Sequence, residues 1–311
     1  MFNQLPKSFA LSKELIQARQ IQAPVVALES AVITHGLPRP ENLNLARGME
    51  TVVRENGALP ATVALFEGKI HVGMADRAIE TLANQDDVHK ISLRDLGPAV
   101  ARGWSGGTTV AATLFAASQV GIRVFATGGI GGVHRGAPFD ISADLQQLGK
   151  SPLIVVCAGA KSILDLPATR EVLETQGVPV IGYQTDEFPA FYSRESGLSV
   201  DQRVETPEDV VQIALASWGA GLRTAILLVA PPPAETALPA DLVEAAIETA
   251  LEEAAGRGIH GSATTPFLLG RVSELTGGES LTANIALLHN NAKIAAQVAV
   301  AVQNFQKRKP I

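Results

Sequence analysis

Short β-branched runs alternate with longer stretches of helical period along most of this chain, and that alternation narrows the choice of fold more than anything else in it. Strands are expected at Val25–Ser30, Arg123–Thr127, Leu153–Ala158, Val178–Tyr183 and Thr224–Val229. Thr62–Phe66 and Lys69–Met74 flank Glu67-Gly68 and read as a hairpin. Helices are expected at Pro40–Glu55, with proline in the first turn and Gly57 past the end, and at Thr108–Gln119. Others follow Ser142, start near Lys161 and stop before Gly177, or cover Pro207–Trp218, Asp241–Ala255 and Leu281–Gln306. The pattern predicts a three-layer α/β/α protein with a central mixed, mostly parallel sheet.

At 311 residues the length prior favours two domains, yet no repeat or low-complexity linker divides the chain. Pro231-Pro232-Pro233 reads as a rigid loop leaving a strand, so one domain over residues 1–311 is expected. The formal net charge is −6, and no basic run exceeds Lys307-Arg308-Lys309. Neither nucleic acid nor an anionic membrane is an expected partner. The single cysteine, Cys157, excludes an internal disulfide or a cysteine-based zinc site, and its apolar surroundings suit a buried structural thiol. The first turns carry Lys7, Lys13 and Glu14, unlike a signal peptide. Apolar runs stop short of the ~20 residues that cross a bilayer, so a cytoplasmic protein is expected.

The densest chemical signal is Thr127-Gly-Gly-Ile-Gly-Gly-Val-His-Arg-Gly136, after a strand, where glycines let backbone N–H groups approach a ligand. It matches neither the dinucleotide fingerprint nor the phosphate loop that ends in Lys-Ser/Thr. Gly106-Gly107-Thr108-Thr109 opens a helix in this reading and suits either a phosphate or ordinary capping. Asp140-Ile-Ser-Ala-Asp144 is either a capped, solvated helix start or a pair in which Asp140 holds a hydrated cation and Asp144 handles a proton. Lys161 follows a strand through Gly159-Ala160, at the strand end where open α/β sheets bind ligands. It is either a surface charge or an amine activated by burial or a second cation. Glu29 ends an apolar strand and is either an acid of raised pKa or a partner for a backbone turn. His35 reads as a turn residue, and His71, His89, His260 and His289 lack metal-ligand spacing.

Several of these strings together resemble the pseudouridine-5′-phosphate glycosidase, or indigoidine A-like, family. They are Leu28-Glu-Ser-Ala-Val-Ile-Thr-His-Gly36, Lys90-Ile-Ser-Leu-Arg-Asp-Leu96, Gly106-Gly-Thr-Thr-Val-Ala-Ala-Thr113 and Phe125–Gly136. Phe139–Leu145, Val156–Asp165, Gly182–Phe191 and Thr282–Ala286 continue the match in order. Only Ala137-Pro138 separates Gly136 from Phe139, a short connection for the family.

The resemblance implies reversible cleavage of the bond between uracil C5 and ribose C1′ in pseudouridine 5′-phosphate, giving uracil and ribose 5-phosphate. It implies Lys161 as nucleophile through a Schiff base with ring-opened ribose, and Glu29 as proton donor. It implies Lys90, Val110, Ser142, Ala143 and Asp144 as substrate contacts, with His134 and Asn284 as secondary ones. Asp140 would hold Mn²⁺ through waters, the subunits would form a homotrimer, and the fold would look ribokinase-like. A ribokinase-like sugar or nucleoside kinase is the alternative, but Thr276-Gly-Gly-Glu279 lacks the aspartate of such kinases. A binding protein that has lost turnover is disfavoured by the presence of Glu29, Lys90, Asp144 and Lys161 together.

Overall fold

The strands at the centre of this molecule are short and buried on both faces. The structure, a computed structural model, describes residues 5–259, 261 and 264–308; His260 lies outside them. In chain order the first elements are β1 (Phe9–Leu11), α1 (Lys13–Gln20), β2 (Val25–Leu28), a π-helical turn (Val32–Gly36) and α2 (Glu41–Glu55). Then come β3 (Leu59–Phe66), β4 (Lys69–Val72), α3 (Asp76–Asn84), β5 (His89–Ile91), α4 (Leu93–Arg102), β6 (Gly106–Thr108) and α5 (Val110–Gln119). The middle holds β7 (Val124–Ala126), β8 (Val133–His134), β9 (Ala137–Ile141), α6 (Ala143–Leu148), β10 (Ile154–Cys157), β11 (Leu164–Asp165) and α7 (Leu166–Thr175). The rest is β12 (Val180–Tyr183), β13 (Gln202–Val204), α8 (Pro207–Gly219), β14 (Ile226–Val229), α9 (Ala240–Gly256), α10 (Thr264–Leu275) and α11 (Glu279–Arg308).

The main sheet runs β1-β4-β3-β2-β7-β10-β14-β12-β13, with β6 beside β3 and β5 beside β6. From β3 through β13 every pairing on that path is parallel. β4 and β6 run antiparallel to β3. Helices cover it as two groups: α11 packs on β2, β7 and β10 with α2 and α8 beside it, while α5 packs on β2 and β3 beside α4 and α6. The mixed, mostly parallel sheet between helical layers is the architecture the alternating pattern predicts.

The β3–β4 hairpin turns on Glu67 and Gly68, both at positive φ (48° and 73°), as a tight two-residue turn between right-twisted strands requires. Two expectations fail locally. Gly106-Gly107-Thr108 forms β6 and does not open a helix; α5 begins at Val110, capped by Thr109. The reason is crowding, since a Cβ on Gly107 would stand 2.5 Å from the Ser30 carbonyl oxygen, so glycine admits the strand there. The helix after Lys161 starts only at Leu166, because Leu164–Asp165 first pairs with Val133–His134 and Asp165 then caps α7 by accepting from the Ala168 N–H.

α11 is long and apolar enough on average to cross a bilayer, which counting uninterrupted apolar runs does not reveal. Here it is a core helix: Leu287, Leu288, Ala292, Ala295, Ala296 and Val298 are all buried. Cys157 is buried as expected, and burial pushes its thiol up to about 12, leaving it inert.

Candidate active site

The sheet register assembles the centre of the site. Leu28 pairs with Ala126, and Ala126 with Val156, so the chain leaves β2, β7 and β10 side by side. Glu29 and Thr127 are the next residues on two neighbouring parallel strands. The Thr127 hydroxyl accordingly donates to Oε1 of Glu29. Four residues past β10 stands Lys161, its N–H donating to the Ile130 carbonyl (3.1 Å), which ties the lysine turn to the glycine loop. Gly159, at φ 85°, makes that turn possible: a Cβ there would lie 2.1 Å from the Pro189 carbonyl oxygen.

Glu29, Lys90, Lys161 and Asn284 line one cavity, together with His35, Gly128, Gly129, Phe191 and Leu288. Thr265, Pro266 and Leu269 of α10 also border it. Lys90 arrives from β5, held by its register with Gly107 of β6. Asn284 and Leu288 lie one turn apart on α11 and face the same space.

Charge in this cavity is concentrated and mutually perturbing. Burial pushes the Glu29 carboxyl above the usual carboxylate range; Lys161 and the Thr127 hydrogen bond pull it back, Asp144 pushes it further up, and Lys90 pulls it down. Lys90 is held below the ordinary lysine range by burial first and by the Lys161 ammonium second, while Asp144 and Glu29 oppose that. A carboxyl whose burial favours its protonated form, beside two lysines, suits acid catalysis with an amine nucleophile.

Asp144 corrects one expectation. It is not a solvated first-turn carboxylate: it is 5% exposed, and both oxygens are taken by backbone donors, Oδ1 from Ala111 (2.8 Å) and Oδ2 from Gly131 (2.8 Å). It joins the start of α6 to the start of α5 and to the glycine loop. Ser142 caps α6 by accepting from the Asp144 N–H, Ala143 is its exposed first residue, and Val110 is the buried first residue of α5. These four therefore border the site behind the Gly128–Gly132 loop and do not line the cavity itself.

His134 lies on β8, opposite Leu164, outside the lining. Ala137-Pro138 opens β9, and Arg135-Gly136 is the tight turn between β8 and β9, with His134 paired to Ala137 and Gly136 at φ 69°. Asp140 is exposed on β9, and no group of three or more His, Cys, Asp or Glu that could hold a metal occurs among the described residues. One exposed carboxylate fits only an ion that keeps most of its own water shell.

His35 is the residue the sequence undervalues. It lines the cavity from the π-helical turn, an irregularity that recurs at functional sites. Its Nδ1 lies 2.6 Å from the Thr34 hydroxyl, it hydrogen-bonds the Val88 carbonyl, and burial followed by Lys90 holds its pKa down. A neutral imidazole thus ties the turn to the segment leading into Lys90. Phe191 is a second missed residue, packed so closely over the glycine loop that a Cβ on Gly129 would meet its ring at 2.6 Å. Phe191 itself sits at φ 65°, a strained conformation for a bulky side chain.

The family model described as indigoidine synthase A like protein matches residues 14–301. The chain is 55% identical to a pseudouridine-5′-phosphate glycosidase of Herpetosiphon aurantiacus, over 93% of this chain and 98% of that protein. It is 52% identical to the enzyme of that name from Caldanaerobacter subterraneus subsp. tengcongensis, over 96% of this chain and 97% of its relative. Among solved structures it superimposes on the prealnumycin C-glycosynthase AlnA in complex with ribulose 5-phosphate, with TM-score 0.90 and 40% identity over 99% of this chain and 100% of that one. An indigoidine synthase A-like protein from Thermotoga maritima gives TM-score 0.88 at 36% identity, over 97% of this chain and 100% of the other.

Proposed function

The chain belongs to the indigoidine synthase A-like family, and from that premise we propose that it reversibly cleaves the C–C bond joining uracil to ribose 5-phosphate in pseudouridine 5′-phosphate. The observation that carries this reading is the convergence of Glu29, Lys90 and Lys161 in one cavity at the carboxyl ends of β2 and β10. An O-glycosidase protonates a leaving oxygen. A carbon leaving group needs two other things, a proton for the carbon and an electron source at C1′.

In the proposed reaction the Lys161 amine bonds to C1′ as the C1′–O4′ bond breaks and opens the ribose ring, and the proton that the amine gives up goes to O4′. Its lone pair then forms the C=N bond as the C1′–C5 bond breaks. The pair from that bond leaves with uracil, and the proton of Glu29 ends on C5. Water hydrolyses the imine, releasing ribose 5-phosphate and the free amine. Lys90 serves as a substrate contact from β5, lining the same cavity as Lys161. Val110, Ser142, Ala143 and Asp144 bound the sugar-phosphate end, at the first turns of α5 and α6, and His134 and Asn284 are further contacts. Asp140 would hold a hydrated Mn²⁺, which supplies positive charge for an anionic substrate. The subunits are proposed to form a homotrimer in the cytoplasm.

Incubation with ribose 5-phosphate, borohydride reduction and intact mass measurement tests the reading. A reduced pentose-phosphate adduct is expected on the wild-type chain and none on Lys161→Ala. An unmodified wild-type mass, in protein that turns over pseudouridine 5′-phosphate, would remove the Schiff base from the mechanism.

A further inference from the structure

Thr127 has no part in the reaction as described, yet it is the only side chain that hydrogen-bonds Glu29 among the described contacts, and it is held unusually firmly. It is fully buried at the end of β7. Its N–H donates to the Val156 carbonyl (3.0 Å). Its carbonyl accepts from Nδ2 of Asn291 on α11 (2.9 Å), and the Gly128 carbonyl accepts from the same amide (3.3 Å) and from the Ala158 N–H (2.8 Å). Two strands and a helix thereby fix one peptide, and the β-branched side chain is stiff about χ1. Asn291 is itself fully buried, and its Oδ1 has no partner among the described residues. An apolar side chain would avoid that penalty, so the amide is present for its two donors.

We propose that Thr127 is the positioning residue of the acid: its hydroxyl, anchored through Asn291, occupies Oε1 of Glu29 and leaves Oε2 as the oxygen that carries and delivers the proton. The inference rests on the assignment of Glu29 as proton donor. A carboxylic acid with one oxygen accepting from a fixed hydroxyl has its O–H on the other. In cleavage, the Oε2 proton passes to the base carbon, and the carboxylate left behind keeps the Thr127 hydrogen bond. The hydroxyl favours that charged form, as do Lys161 and Lys90, against burial and the Asp144 carboxylate. Removing the hydroxyl therefore raises the pH at which the acid loses its proton.

The test compares Thr127→Val, Thr127→Ser and Glu29→Gln for pH-dependent kcat and KM in pseudouridine 5′-phosphate cleavage. Thr127→Val is expected to lower kcat by about 10-fold or more, a part of the 10²–10⁴ that a positioned acid contributes. KM should stay within about 3-fold, the alkaline limb should move to higher pH, and Thr127→Ser should restore both kcat and the limb. Borohydride trapping of ribose 5-phosphate on Lys161 reports that the variant site is folded, and Thr127→Ala is read in place of a valine variant that traps nothing. Wild-type kcat and alkaline limb in the variant lacking the hydroxyl would overturn the proposal, as would a serine variant no better than valine. If Glu29→Gln turns over normally, the acid assignment is what fails, whatever Thr127 does.

Discussion

Glu29, the proton donor in the proposed reaction, follows β2 beside Thr127 in the cavity that Lys90 and Lys161 also line. Its carboxyl is raised above the unfolded value chiefly by burial. The linked stability is therefore fully present below the ordinary carboxylate pKa of about 4.3 and is lost as pH rises through the folded value. Glu29→Gln removes the titrating group, so its thermal midpoint should gain on the wild type as pH rises, and calorimetry between pH 5 and 8 reads this directly. The same substitution should cost about 10²–10⁴-fold in cleavage rate with substrate binding retained, measured by single turnover and equilibrium binding. A glutamine enzyme that is both less stable at pH 8 and fully active would contradict the two halves together. From the sequence, a carboxylate ending an apolar strand is recognisable as costly, and Lys161 as well placed. What turns them into a pair is the register between β2, β7 and β10, a property of three segments far apart in the chain. His35 was undervalued because a histidine in a turn gives no sign of the π-helical winding that aims it inward.

At the scale of elements, Asp144 does the joining. Replacing it with alanine leaves the Ala111 and Gly131 N–H groups buried without acceptors, and each such loss costs about 1–3 kcal/mol. Urea denaturation of Asp144→Ala should therefore show a loss of at least about 2 kcal/mol, with activity lost as well because the glycine loop is freed. Gly129→Ala tests the opposite surface of that loop. Its methyl would collide with the Phe191 ring, so the variant should fold with a displaced loop and lose turnover while its thermal midpoint falls by only a few degrees. Periodicity and turn residues mark Val25–Leu28, α2 and α8 within a residue or two, and place the β3–β4 turn at Glu67-Gly68, although β3 begins three residues earlier than its pattern suggests. At β6 and at the delayed start of α7 a long-range strand partner overrides local preference, and the helices α1, α3, α4 and α10 were not read from the sequence.

For the whole molecule, the acidic surface and the lack of basic runs fit a small-molecule enzyme. The proposed homotrimer predicts a sedimentation mass of three chains, independent of added Mn²⁺ if the ion sits only at Asp140. Dialysis against a chelator should then lower activity without dissociating the assembly, and Asp140→Ala should abolish its restoration by Mn²⁺. The layered architecture and the long amphipathic closing helix were readable from alternation and periodicity; which strands that helix covers was not, because contacts between segments far apart in the chain decide it. That helix has a consequence for biosynthesis. α11 supplies Asn284 and Asn291 to the site and covers β2, β7 and β10, yet it is made after every strand it covers. Until residues 279–308 have cleared the ribosome, the nascent chain presents an open apolar sheet and an unanchored Thr127. Completion of the core and completion of the catalytic centre are thus one late event, and a chain stalled before it is a client for chaperones.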